Sequence, residues 1–251
     1  MTYTRPLTAL TFDLDDTLWD NGHVMAHTET GHYAWLDEAL TTWHADRLET
    51  LGRFSERFPL DTYQQRRGEL ATRHPLRRGD FTWIREQSLR ELLEEYGLAT
   101  AEARRWATAA MDQFMTLRHR LTPYPEVDML LTSLRANFRL ASVTNGNVDL
   151  ARLPLAHHFP IRIAAGEMHA PKPDARPFLA ALSRLNATPS QAMHVGDSWA
   201  EDVLPAQRLG MRVAWIDKRD EGLPMRLEGV YRLAHVRDLP TLLASLDSDD
   251  G

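Results

Sequence analysis

Two hydrophobic textures alternate along the chain. Residues 7–14 are almost continuously apolar, interrupted by threonine, and run into Asp13-Leu14-Asp15-Asp16-Thr17. Such a run predicts a central parallel strand, buried on both faces, that ends in acid. From about Asp20 to Leu121 no strand pattern appears. Three-to-four spacing over 24–51 and over 61–72 after Pro59, an amphipathic 80–96 closed by Gly97, and a segment from the N-cap candidate Thr100 to about 120 predict roughly four helices. After Pro123 and Pro125 the pattern turns to alternation. Helix 126–137 leads to strand 139–144, a short strand follows at 161–164, and helix 174–186 leads to strand 192–196. Helix 200–209, stopped by Gly210, leads to strand 212–216, and the acidic end from Asp247 should fray.

Alternation of this kind means right-handed βαβ units and a parallel sheet covered on both faces. The predicted fold class is α/β: a Rossmann-like three-layer core with a parallel sheet, plus an inserted all-helical domain. Residues 1–19 and 122–251 would form the core and residues 20–121 the insert. Ligands of open α/β sheets sit outside the carboxyl ends of the strands. A helical domain launched from such an end is therefore expected to hang over the site as a lid.

Composition narrows the chemistry. The chain has 251 residues and no cysteine, which removes disulfides, thiolate nucleophiles, Cys-ligated zinc and iron–sulfur clusters. The net charge of −6 argues against a nucleic-acid partner. No run approaches a membrane span and the start lacks a signal-peptide pattern, so a soluble cytoplasmic protein is the expectation. Among 29 basic residues only Lys172 and Lys218 are lysine. A lysine that survives such a bias toward arginine marks a place where arginine does not serve.

The strand ends carry the candidate chemistry. Asp13 and Asp15, two apart in extended backbone, face the same side. Two such charges near 4 Å repel by about 4 kcal/mol at an effective dielectric of about 20, so a proton or a hard cation, Mg²⁺ before Ca²⁺, is called for. Asp-rich turns also serve as helix caps. Ser142-Val143-Thr144-Asn145-Gly146 offers a hydroxyl and exposed N–H groups to an anion, or simply a turn. Lys172 stands between Pro171 and Pro173, a compact cation on a stiff loop. Asp197 closes a buried strand and could complete a cation site or cap a helix, with Asp202 behind it or facing Lys172.

Four such motifs in this order resemble the haloacid dehalogenase-like hydrolase superfamily. Phe12-Asp13-Leu14-Asp15-Asp16-Thr17-Leu18 is similar to its first motif and Val143-Thr144-Asn145-Gly146 to its second. Lys172 is similar to its third motif, Gly196-Asp197 with Asp202 to its fourth, and the insert sits where the family carries its C1 cap. The opening RPLTALTFDLDDTLWDN and the stretch VTNGN resemble a bacterial branch of phosphatases that act on FMN and on a ribitylaminouracil phosphate, in the riboflavin pathway. The resemblance implies a small-molecule phosphate monoester as substrate and Mg²⁺ as cofactor. Asp13 would be the nucleophile that forms an aspartyl-phosphate, and Asp15 the general acid and base. The Asp13 and Asp197 carboxylates with the Asp15 carbonyl would hold the metal, and Thr144, Asn145 and Lys172 would grip the phosphoryl oxygens. The family's dehalogenases lack an acid at the position of Asp15, because a halide leaves without a proton, so Asp15 favours a phosphatase.

A phosphosugar mutase would share Asp13 and Asp15. A receiver domain is about half this length with its phosphoacceptor on a later strand, and a silent phosphate-binding protein would keep the motifs without turnover. Trp19, just before the insert, and Trp35, Trp43 and Trp83 within it could stack on an aromatic ring or pack in a core, and Trp83 has Arg85 and Arg90 on its predicted helix. His23 and His27 have metal spacing but no third ligand, which leaves them as solvent-facing residues. Asp16 reads as a loop residue, Asp20 as a brace where the insert begins, and Lys218 as surface. The sequence leaves open a monomer or a homodimer.

Overall fold

The computed structural model describes residues 6–43, 51–166 and 168–249. The chain divides into two compact units, Met1–Asp20 with Thr122–Gly251, and Asn21–Leu121. In the first, β1 (Ala9–Phe12), β2 (Arg139–Thr144), β3 (Ile161–Ala164), β4 (Ala192–Gly196), β5 (Arg212–Ile216) and β6 (Val230–Leu233) form one sheet in the order β3-β2-β1-β4-β5-β6. Every pair is parallel. β1, β4 and β5 are buried along their whole length, as strands covered on both faces must be. The strand order reverses between β1 and β4, the place where open α/β sheets receive ligands.

The second unit is helical: α1 (Asn21–Trp43), α2 (Phe54–Arg57), α3 (Leu60–Arg73), α4 (Phe81–Tyr96) and α5 (Thr100–Arg118). Its core gathers Tyr33, Leu36 and Leu40 of α1, Tyr63 of α3, Leu89, Leu92 and Leu93 of α4, and Ala107 and Phe114 of α5. A Cβ at Gly31 would lie 2.8 Å from the Leu117 side chain, so a glycine lets α1 and α5 approach. Gly97, at φ +116°, ends α4 as expected. Thr100 is the first helical residue rather than the cap. Ala99 holds the cap position, and its N–H donates to the Glu102 carboxylate. The expected helix over 24–51 is present to Trp43, and residues 44–50 lie outside the described residues.

The helical unit also buries a charged cluster. Glu29 Oε1 accepts from Arg67 Nη1 at 2.6 Å and from Arg85 Nη2 at 2.9 Å. Burial alone would raise the Glu29 carboxyl, but Arg85 and Arg67 outweigh it and hold it below its usual range. Its contribution to stability is therefore present above the ordinary glutamate range and lost as pH falls. Glu29→Gln leaves two half-buried guanidiniums without their counter-charge. Urea unfolding at neutral pH should show a loss of roughly 2–4 kcal/mol, shrinking toward acid.

Back in the α/β unit, α6 (Val127–Leu134), α7 (Arg176–Leu185), α8 (Leu204–Arg208) and α9 (Leu239–Asp249) complete the layers. Phe178, Ala181, Leu182 and Leu185, at helical spacing, bury α7 against β2 and β3. The single helix expected over 200–209 is instead a π turn, Trp199–Val203, running into α8. Pro205 cannot donate to the preceding turn, and Asp202 is drawn inward. β6 and α9 have weak signals, a four-residue half-exposed edge and a short helix, and were not expected. Of the end expected to fray, residues 247–249 fall within α9, and the last two residues lie outside the described residues.

Candidate active site

Main-chain pairing sets the frame. The Asp13 N–H donates to the Val195 carbonyl at 2.8 Å, which ties the end of β1 to β4. Lys172 reaches in from the loop after β3. Its Nζ donates to Asp13 Oδ1 at 2.6 Å and to Asp202 Oδ1 at 2.5 Å, and the side chain is 2% exposed. Of the two roles open to Asp202, the structure shows the one that faces Lys172. Its other oxygen accepts the Ser198 N–H at 3.0 Å. A Cβ on Gly196 would lie 2.5 Å from the Asp202 carboxyl, which is why β4 ends on glycine.

Behind this pair lies a relay that the sequence reading missed. Thr11 and His194 are register partners on β1 and β4. His194 Nε2 lies 3.1 Å from Asp202 Oδ1, and its Nδ1 lies 2.8 Å from the Thr11 hydroxyl. A carboxylate only accepts, so in the neutral ring Nε2 donates to Asp202 and Nδ1 accepts from Thr11. Burial lowers His194 despite the Asp202 charge, which keeps the ring neutral. The available signal was a polar pair on strands otherwise apolar. Asn145 was expected to act through its backbone, but its side chain also does structural work. Its Oδ1 accepts from the Lys172 N–H at 2.8 Å, and its Nδ2 donates to the Lys172 carbonyl at 3.0 Å and to Glu201 at 2.9 Å. The loop after β2 thereby clamps the loop that carries the lysine. Thr144 is buried, with its hydroxyl accepting from the Gly146 N–H at 2.9 Å.

The charges do not balance. Asp13, Asp197 and Asp202 present carboxylate oxygens within 4.8 Å of one another, against the single ammonium of Lys172. Burial pulls Lys172 down, but Asp13 and Asp202 outweigh it and keep the ammonium charged. Burial raises Asp202, but Lys172 and His194 outweigh it and hold it well below the carboxylate range. The deficit falls on the other two acids. Asp13 is raised by burial, with Lys172 opposing and Asp202 and Asp197 adding to the rise. Asp197 is pushed up to about 7 by burial and then by the Asp202 and Asp16 charges. Three carboxylates and one ammonium leave two negative charges, which a divalent cation with oxygen ligands fits. Both oxygens of Asp202 are already engaged, so Asp13 and Asp197 remain as the carboxylates available to it.

The raised Asp197 gives a pH prediction. Its native value lies above the unfolded one, so its stabilising share is full near pH 4 and lost as pH rises through about 7. In chelator, Asp197→Asn should melt higher than the parent at about pH 8, with the gap narrowing as pH falls and closing by about pH 4.

Asp15 points toward the loop after β2, where a Cβ on Gly146 would collide with its carboxylate. Its Oδ1 accepts from the Trp19 indole at 2.8 Å. Trp19 is fully buried, so it positions Asp15 and is not available to stack on a ligand. Lys218 is not a free surface residue either. It donates to Asp16 at 2.7 Å and lies over the Tyr124 ring, because the end of β5 comes close to the end of β1 only in the folded sheet. Asp16 takes φ +60°, as a loop residue, and Asp20 is exposed.

In the helical unit Trp83 lies under the Arg77 guanidinium, 4.8 Å away, and meets the His74 ring edge-on at a centroid separation of 5.0 Å. It lines an open cavity of about 350 Å³ with Gln87, Arg90 and Arg104. Arg85, expected beside it, turns instead to Glu29 and Phe114. Trp35 packs against the helical core, Trp43 pairs with Trp106, and His23 and His27 are exposed.

The doubly wound parallel sheet thus carries an aspartate cluster and one buried lysine at its switch point. The chain belongs to the haloacid dehalogenase-like hydrolase family, whose model matches residues 7–210. It is 32% identical over 219 residues to the 5-amino-6-(5-phospho-D-ribitylamino)uracil phosphatase YigB of Escherichia coli K12, covering 86% of this chain and 87% of the relative. It is 39% identical over 141 residues to a phosphoserine phosphatase of Thermus thermophilus, covering 54% and 55%. Among solved structures it is similar to a 2-haloacid dehalogenase from Pseudomonas syringae pv. Tomato DC3000, with a TM-score of 0.84 at 32% identity, covering 96% and 99%. With relatives named as phosphatases of small phosphorylated compounds, the protein is a phosphatase of this family. Among the described residues no helix is long and apolar enough to cross a membrane.

Proposed function

We propose that the protein hydrolyses small phosphate monoesters in the cytoplasm with Mg²⁺ as cofactor, through an aspartyl-phosphate on Asp13, and that FMN or a ribitylaminouracil phosphate is its substrate. The observation that carries the reading is the ammonium of Lys172 fixed between Asp13 and Asp202, in a cluster still short of positive charge. Asp13 attacks phosphorus, the bond to the leaving oxygen breaks, and Asp15 supplies that oxygen's proton. Asp15 then takes a proton from the water that cleaves the aspartyl-phosphate. Lys172, Thr144 and the Asn145 N–H hold the phosphoryl oxygens, and positioning of this kind supplies most of the acceleration in phosphoryl transfer. The Asp13 and Asp197 carboxylates with the Asp15 carbonyl would hold Mg²⁺, which supplies charge neutralisation when bound. Residues 20–121 act as a C1-type cap, and Trp83 contacts the alcohol part of the substrate.

The dehalogenase name of one structural relative raises a second reading. Asp15 speaks against it, since a departing halide has no use for a proton donor. Chelation should lower phosphatase turnover by at least about a hundredfold, with full return on adding Mg²⁺. A panel of FMN, phosphoserine, an aryl phosphate and 2-chloropropionate then tests the substrate. Preference for FMN supports the flavin reading and a flat phosphate profile removes it, while chloride release would overturn the phosphatase mechanism.

A further inference from the structure

We propose that Asp128, His157 and His158 form a second metal site, apart from the aspartate cluster, that takes a borderline transition ion such as Zn²⁺, Ni²⁺ or Co²⁺. Asp128 sits in the first turn of α6, and the two histidines end a 3-10 turn, Pro154–His158, between β2 and β3. One ligand atom from each lies within 4.8 Å of the others. His158 Nε2 is 2.8 Å from Asp128 Oδ1 and His157 Nε2 is 4.0 Å from the same oxygen. The two imidazole rings lie 3.8 Å apart.

Three features make this more than a chance meeting. His157 Nδ1 lies 2.8 Å from the Pro154 carbonyl, which only accepts, so Nδ1 carries the proton and Nε2 offers its lone pair. A carbonyl on the far nitrogen is the usual partner of a metal-binding histidine. The turn is also fastened before any ion arrives. Arg135 donates to the His157 carbonyl at 3.0 Å, while Arg162 donates to the Ala156 and Phe159 carbonyls at 2.8 and 3.0 Å. Finally, among the described residues the ion-pair partners of Asp128 are these two histidines, so no arginine or lysine neutralises the carboxylate.

Ligand type sorts the two sites. Imidazole nitrogens suit Zn²⁺, Ni²⁺ and Co²⁺, whereas Mg²⁺ prefers the all-oxygen aspartates. Asp128 and His157 are well exposed, so an ion can enter from solvent. His158 is the limiting ligand. Binding at Nε2 requires the neutral ring's single proton to move to Nδ1, which is buried without a partner. The site is therefore weaker than one with two carbonyl-anchored imidazoles, and water completes the coordination.

The test is a Co²⁺ titration of the full chain, free of any polyhistidine tag and saturated with Mg²⁺, followed by visible absorption. Wild type should bind one equivalent more than His157→Ala or Asp128→Ala, each at least tenfold weaker at this site, and Zn²⁺ should raise the melting temperature of wild type alone. Both variants alter exposed side chains and should keep wild-type phosphatase turnover in Mg²⁺, which certifies their fold. Identical isotherms for all three proteins would overturn the site. The readout is metal binding, so it stands or falls independently of the phosphatase mechanism.

Discussion

Asp13→Asn should lower aryl phosphate hydrolysis in saturating Mg²⁺ by about ten-thousand-fold or more, while the protein stays folded. An amide nitrogen is a poor nucleophile at phosphorus, and with no aspartyl-phosphate the two-step route is closed. The same change removes a charge that burial and its carboxylate neighbours already disfavour. A carboxyl raised in the native state contributes stability that is lost as pH rises, so the asparagine variant should lose none of it. Its melting temperature at about pH 8 should match or exceed that of wild type, which separates a chemical defect from a folding one. Turnover within a few-fold of wild type would end the Asp13 mechanism.

Lys172→Arg should cost roughly a hundred- to thousand-fold in kcat/KM although the charge is kept. The ammonium sits at 2.6 and 2.5 Å from two carboxylate oxygens in a space closed to solvent. A planar guanidinium is longer and carries five donors, and the site accommodates neither its width nor its extra N–H groups. Overpacking of this kind should also destabilise by about 1–3 kcal/mol. Lys172→Met makes the complementary measurement, since it leaves Asp13 and Asp202 buried without the cation they share. It should destabilise more, by roughly 3–5 kcal/mol, with the defect easing as acid protonates them. Near-normal kcat/KM in the arginine variant would count against the lysine's place in catalysis.

The candidate site was legible to different depths. Asp13, Lys172, Asp197 and Asp202 stood out because strand ends in acid, and a lone lysine between prolines, are visible along the chain. Their pairing was not. Lys172 meets Asp13 across 159 residues and Lys218 meets Asp16 across 202, distances that only β-strand order closes. His194 and Thr11 lie on strands that are otherwise apolar, and only register sets them side by side. Arg85 faces Glu29 rather than Trp83 for the same reason. A side chain's partner in a folded chain depends on which elements pack together, and periodicity reports only which face is apolar.

By itself, the amino-acid order determined the class of architecture: alternating strands and helices with a helical insert, and acid at successive strand ends. Period and punctuation are local, so they survive being read one segment at a time. The tertiary structure decided the charge state of the cluster. Three carboxylates share one ammonium only because β1, β4 and the Lys172 loop converge at the switch point. Burial there strengthens every unpaired charge, pushing Asp197 up to about 7 while Asp202 is held down. Desolvation and proximity belong to the folded geometry, and no sequence pattern carries either.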